Sequence, residues 1–315
     1  MAFSHFYWKD NIPIESIIIL NRKKVGNHNS IARIVLSGLA AVAALLGCAP
    51  SYRPQKTQMM DKTAWKTHCF GRYLVDLPPD ARITQRYEIW SDEVERLEGD
   101  IAAGKAQIEA REQALKAEKH ETAGSMFIRK IALANGSVAL LSHYATFDTS
   151  ALRMNTYLIA GGTEPKMYLY AGLVSLAREK TAIAFSQSLS ENIRALAPGE
   201  IPSGQGFCID SAFIAGNEHR SESFRVSIEL PAHPGLDIEF AGSTRGKTTD
   251  GGLLRRLGSW HNGILQRIIG LKTLRKGKHD VGSLRADEYL MRGREKGHQL
   301  YTFLWEAPGK ASSVA

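Results

Sequence analysis

Between residues 224 and 240 the chain alternates strictly. Phe224, Val226, Ile228 and Leu230 are separated by Arg225, Ser227 and Glu229. After a Pro231 to Gly235 turn the pattern resumes, with Leu236, Ile238 and Phe240 set against Asp237 and Glu239. A period of two cannot give a helix one apolar face; it demands strands with one face in a core and the other in water. This pair therefore predicts an antiparallel sheet that is wet on one side. A helical stripe follows at Leu253, Leu257, Trp260, Ile264 and Ile268, and strands close the chain around Leu300 to Trp305.

The preceding segment repeats the same order of elements. Strands are predicted at Met126 to Leu133 and Val138 to Thr146, joined by an Asn135-Gly136 hairpin signal, then at Arg153 to Ile159 and Lys166 to Tyr170. Ala182, Phe185, Leu189, Ile193 and Leu196 mark one face of a closing helix. Ahead of them, Ser91 to Glu121 is dense in Glu, Lys, Ala and Gln and reads as one long charged helix starting at Ser91-Asp92-Glu93. Its seam is thin, with Gly104 and Arg111 between Val94, Leu97, Ile101, Ile108 and Leu115. Two similar openings, around Cys69 and around Cys208, each put a Cys on an apolar strand, and the Pro/Gly-rich stretch from Ala197 to Gly204 separates them. The fold class is α+β: two domains, 62–200 and 201–315, each an antiparallel sheet packed with helices.

The first fifty residues carry an address. Arg22-Lys23-Lys24 and Arg33 precede an apolar run from Ile34 to Leu46, too short to span a bilayer, which ends Leu45-Leu46-Gly47-Cys48. This is a lipobox: residues 1–48 form a signal peptide, and Cys48 is the lipid-attachment residue. A short anchor, or an ordinary cut near Ala49 with Cys48 a passive thiol, is the alternative. Met1 to Leu20 fits a signal peptide poorly, and residues 1–24 are expected to lie upstream of the true start. Ala49 rather than Asp after Cys48 favours the outer membrane, facing the periplasm, and residues 49–61 read as a tether. Of the remaining thiols, Cys69 and Cys208, the reading prefers two buried reduced residues over a bridge, although a disulfide between them stays possible.

Chemistry is hard to find. Forty Lys and Arg against 32 Asp and Glu give +8, too dilute a surplus for a nucleic-acid binder. Ala241-Gly242-Ser243-Thr244-Arg245-Gly246-Lys247-Thr248 satisfies a loose phosphate-loop pattern, but the strand before it is wet on one face and the helix after it is delayed. No G-x-S-x-G elbow exists, no metal-ligand spacing is present, and the histidines are scattered. His143 near Asp148, and His219 beside Glu218, read as surface pairs rather than acid/base couples. The basic run Arg275-Lys276-Gly277-Lys278-His279 reads as a solvated turn more readily than as a site for anionic headgroups or an acidic partner.

Several motifs carry a resemblance. Cys69-Phe70-Gly71-Arg72-Tyr73-Leu74-Val75-Asp76-Leu77-Pro78 resembles the opening of the two-domain immunity lipoproteins that neutralise lipase (phospholipase) effectors of the type VI secretion system. Gly206 to Gly216 is similar to the start of that family's C-terminal domain, and Val226 to Phe240 and Phe303 to Lys310 to its later stretches. The resemblance implies a non-catalytic, lipid-anchored periplasmic protein that binds a secreted lipase effector and obstructs substrate access, with no cofactor, no metal and no nucleic-acid partner. Family members continue past the Trp305-Glu306-Ala307-Pro308-Gly309-Lys310 segment, so the second domain is expected to be incomplete. Trp65, Trp90, Tyr168, Tyr170, Trp260 and Trp305 are available as interface anchors, and none is assigned to the interface. The competing reading is an envelope lipoprotein with a structural or solute-binding role; an envelope hydrolase would need a nucleophile that the sequence does not offer.

Overall fold

A computed structural model describes residues 6–8, 15–23, 62–216, 221–244, 252–260, 272–280, 284–295 and 298–307. Eighteen strands and three α-helices run through these residues. Two N-terminal strands, β1 (Phe6–Trp8) and β2 (Glu15–Lys23), precede the hairpin of β3 (Lys66–Phe70) and β4 (Tyr73–Leu77). Then come β5 (Arg82–Ile89), β6 (Asp92–Arg96), α1 (Ile101–Ala117), β7 (Phe127–Ala132), β8 (Val138–Ala145), β9 (Asp148–Ala160), β10 (Lys166–Ser175) and α2 (Glu179–Asn192). The chain continues through β11 (Ile193–Ala195), β12 (Gly206–Ile209), β13 (Ala212–Ala215), β14 (Glu222–Glu229), β15 (Leu236–Ser243) and α3 (Leu253–Trp260). It closes with β16 (Lys272–Lys278), β17 (Asp287–Glu295) and β18 (His298–Ala307).

Twelve of the strands form one sheet in the order β16-β17-β18-β2-β15-β14-β5-β6-β10-β9-β8-β7. The join between its halves is β5, which pairs along its whole length with β14 and at its end with β6. One large core cluster draws on both halves, from Phe70, Tyr87 and Leu158 to Phe224, Phe240 and Trp305. All named strand pairs are antiparallel, as the alternating pattern requires.

The N-terminal half is covered on both faces. Along β9, Leu152 and Met154 pack in the cluster that Ala182 and Ile183 of α2 cover. Tyr157, of opposite parity, packs with Ile108 and Leu115 of α1. A hydrogen bond between the buried hydroxyls of Thr156 and Ser186, 3.0 Å apart, ties β9 to α2. The Asn135-Gly136 signal is a tight turn, with both residues at positive φ (55° and 74°), and the Asn135 amide donates to Ser190 O. Gly104 interrupts the seam of α1 because a Cβ there would meet Met167 Sδ at 2.5 Å; the gap lets the helix approach β10.

The long helix expected from Ser91 is shorter. Residues 92–96 form β6, in which Val94 enters the core while Glu93 and Glu95 face outward, and Trp90 and Ser91 form the positive-φ turn before it. The helix starts ten residues later, where the Asp100 carboxylate accepts from Ala103 N at 2.8 Å as its N-cap. Composition favoured a helix; the period-two burial of Val94 decided for a strand. Of the stripe at Leu253 to Ile268, α3 takes residues 253–260, and Ile264 and Ile268 lie outside the described residues.

Candidate interaction surfaces

The two Cys-bearing openings are two hairpins of like design. In each, a Cys sits on the first strand and a two-residue turn carries one positive-φ residue: Gly71 (59°) between β3 and β4, Ser211 (60°) between β12 and β13. The hairpins dock through Gly71 and Cys208, whose backbones exchange hydrogen bonds of 3.0 and 2.7 Å. Cys69 and Cys208 are joined there as a disulfide, with Cα atoms 5.8 Å apart. The preference for two separate thiols therefore does not describe this structure, because docking brings together two strands that lie 139 residues apart in sequence. Beside it, Arg72 crosses from the β3–β4 turn to Glu222 of β14 in a two-pronged ion pair (Nε to Oε2 2.9 Å, Nη2 to Oε1 3.1 Å), both side chains at most 5% exposed. Arg96 of β6 and Asp210 of the β12–β13 turn, 3.3 Å apart, add a partly exposed link.

The catalytic candidates that the structure describes are engaged elsewhere. His143 lies against His120, ring centroids 4.2 Å apart, and not against the Asp148 carboxylate, which accepts from the Ser150 amide and hydroxyl. Burial, and then the neighbouring His120, hold the His143 ring below the ordinary histidine range. Both His219 and Glu218 lie outside the described residues. In the loose phosphate-loop motif, Ala241 to Ser243 belong to β15, Thr244 N bonds Glu222 O at 2.7 Å, and residues 245–250 lie outside the described residues. The N-terminus of α3, where a phosphate would sit, is already met by a carboxylate: Asp287 Oδ2 accepts from Leu254 N at 3.1 Å.

The basic run at Arg275 to His279 is a strand, not a turn. Arg275 pairs with Glu288 of β17 and Lys278 with Asp287, and His279 Nδ1 lies 3.6 Å from Glu288 Oε2. Both acids are buried, so these cations serve the sheet before any outside anion. Among the described residues no group of three His, Cys, Asp or Glu is arranged to hold a metal, and no described helix is long and apolar enough to cross a membrane. Cys48 lies outside the described residues.

The aromatic anchors divide cleanly. Tyr168, Tyr170 and Trp305 are core: Tyr170 donates to Ile89 O, Tyr168 to Asp210 O and Trp305 Nε1 to His279 O. Burial raises both tyrosine pKa values. Trp65 is half-buried, and the Trp260 side chain is outside the described residues. Trp90, by contrast, is 54% exposed on the β5–β6 turn. The same end of the sheet carries Phe147 (73% exposed) on the β8–β9 turn, Tyr144 beside it, and Leu173 and Leu176 at the end of β10. Register unites them: Leu173 is opposite Arg153, whose guanidinium lies over the Tyr144 ring, 5.5 Å from its centroid. Exposed aromatics and an Arg gathered at one end of the strands make this a candidate protein-binding surface. Of these, the sequence reading singled out Trp90 alone; Phe147, in the two-residue turn between β8 and β9, had no pattern to flag it.

Comparison with known proteins places these features. Residues 66–194 match the family described as the N-terminal domain of Tle cognate immunity protein 4, and residues 200–315 match that of its C-terminal domain. The chain is similar to the apo structure of immunity protein TplEi of the type VI secretion system from Pseudomonas aeruginosa, with 43% identity and a TM-score of 0.74 over 80% of this chain and 84% of that one. It is equally similar to a chain in the crystal structure of a Tle4–Tli4 complex (43% identity, TM-score 0.74, 81% and 83% covered). TplEi complexed with an "L" peptide matches at 42% identity and a TM-score of 0.68, over 80% of this chain and 84% of that one. Nothing among curated proteins matches the sequence.

Proposed function

The chain belongs to the Tle cognate immunity protein 4 family, and from that premise we propose that it binds a lipase effector of the type VI secretion system and holds it inactive. It does so as a stoichiometric partner, without chemistry of its own. The observation that carries the reading is the 43% identity, across four-fifths of the chain, to an immunity protein solved in complex with Tle4. The physical frame agrees with it. Tight inhibition requires a rigid surface able to bury roughly 1,600 Å² in total, with aromatic and Arg anchors at its centre. The run of strands from β15 to β7, which joins both matched segments through the β14–β5 pair and is locked by a disulfide and a buried ion pair, supplies the rigidity. Inhibition works by covering the route of substrate to the lipase.

Cys48 is the residue that receives the lipid, and the mature chain acts on the periplasmic face of the envelope, at the outer membrane. The Cys69–Cys208 disulfide supports this location, since such bonds persist in oxidising compartments. Co-expression decides the function: cells making the cognate lipase in their periplasm survive with this chain and die without it. Unchanged toxicity and unchanged lipid hydrolysis would contradict the reading.

A further inference from the structure

The loop that follows α1 turns back around a histidine. In Lys119-His120-Glu121-Thr122-Ala123-Gly124 the turn closes at Gly124, which has a positive φ (84°) and donates its N–H to His120 O at 3.2 Å. The His120 ring is buried, and its Nδ1 accepts from Thr122 N at 3.2 Å and from Ala123 N at 3.1 Å. Backbone amides can only donate, so this Nδ1 carries no proton. The proton of the neutral ring sits on Nε2, which lies 3.4 Å from Asp148 O at the start of β9. Around the ring, Glu121 N to Thr146 O (2.8 Å) and His143 N to Met126 O (2.9 Å) fasten the loop to the β8–β9 hairpin. His143 of β8 lies against His120, and its own Nδ1 is buried with no hydrogen-bond partner among the described residues. Two rings 4.2 Å apart repel if both take up a proton.

We propose that His120 and His143 form an acid-released latch: neutral, they hold residues 118–126 on the β8–β9 hairpin, and protonation of His120 frees the loop. A charged His120 turns Nδ1 into a donor aimed at two donors, so both amide bonds are lost together. Burial and the neighbouring His120 already hold the His143 ring below the ordinary histidine range, so this partner also favours the neutral pair. The charged groups on the packed elements do not take over the role of the latch. Asp148 attracts a charge on His120, but its carboxylate is engaged by the Ser150 amide and hydroxyl, at 2.7 and 2.9 Å. Glu118, Lys119 and Glu121 on the loop are exposed, Arg153 of β9 lies over the Tyr144 ring, and Arg129 of β7 pairs with Glu179 of α2. What the latch positions is the turn that presents Phe147, so this part of the aromatic surface is fixed near neutral pH and loosened in acid. This inference does not rest on effector binding.

The test follows amide exchange of Glu121, Thr122 and Ala123 in the full chain by NMR, as protection relative to the intrinsic rate, at about pH 7.5 and about pH 5. Protection is expected to fall at least about tenfold at the lower pH, with the amides of β10 unchanged. His120→Asn keeps an acceptor in the place of Nδ1 without a titrating ring, and should hold protection at both pH values. Four results would overturn the proposal: no protection at the higher pH, protection that does not change with pH, an equal loss in β10, or the same loss in the asparagine variant. Should that variant not fold, the imidazole nitrogen shifts of the unaltered chain give a second reading. Near neutral pH the His120 proton is expected on Nε2, and a proton on Nδ1 refutes the latch.

Discussion

Strand β9, in the N-terminal half of the sheet, has no exposed residue from Leu152 to its end, whereas β14 in the C-terminal half alternates between core and water. The two lie in one sheet, separated only by β5, β6 and β10. The difference comes from what covers them. Helices α1 and α2 close both faces of the N-terminal half, and its described buried polar residues include no acid: His120, Ser137, Ser142, Asn155, Thr156, Ser186 and Ser190. The C-terminal half buries four acids, Glu222, Asp287, Glu288 and Glu306, and meets them with Arg72, Lys278, Arg275 and Arg256. One half is held by apolar layers, the other by matched charge at its strand ends. Buried pairs contribute little net stability but are costly to break, so the halves should respond differently to substitution.

The largest effect is expected at the join. Arg72→Leu leaves Glu222 charged and enclosed, and should lower unfolding free energy by about 3–5 kcal/mol. Adding Glu222→Leu should recover most of that loss. Denaturant unfolding of both variants checks it; a double variant as unstable as the single one would mean that the pair itself, rather than the stranded charge, matters. Next comes the covalent link. Cys69→Ser with Cys208→Ser opens a long loop and should cost about 2–5 kcal/mol, measured the same way. In the N-terminal half a smaller, pH-dependent effect is expected at His143. Its folded pKa lies below the unfolded one, so the unfolded chain binds more protons between the two values. Stability should therefore be complete above the ordinary histidine range and fall as pH drops through it, with His143→Gln flattening the slope of thermal stability against pH. The smallest effect belongs to the wet face of β14. Arg225 pairs with Glu239 at 3.1 Å in the open, and Arg225→Ala should cost under about 1 kcal/mol and less still at high salt.

The same contrast explains what could be read from the residues alone. Strand β14 and its partner β15 announce themselves, because a half-wet strand writes its geometry into alternate positions. So does α2, whose Leu189 reaches the core on a helical period. Strand β5 was missed: Gln85 interrupts the inward set of Ile83, Tyr87 and Ile89, and the strand is stabilised by pairing with β14, far along the chain. The basic strand β16 looked like a turn because the buried acids that neutralise it sit on β17. Ser91 to Glu98 looked helical because charge-rich composition is shared by helices and outward-facing strand positions. For the interaction surface, the absence of a catalytic pattern and the family motifs were visible, but not the gathering of Phe147, Leu173 and Trp90, which strand register alone creates.

The central claim is inhibition by occupancy, and titration of the purified chain into its cognate lipase effector tests it most directly. Hydrolysis of a phospholipid substrate should fall linearly and reach baseline at one equivalent, while the chain alone releases no product. Undiminished hydrolysis at several-fold excess, or product released by the chain by itself, would contradict the account.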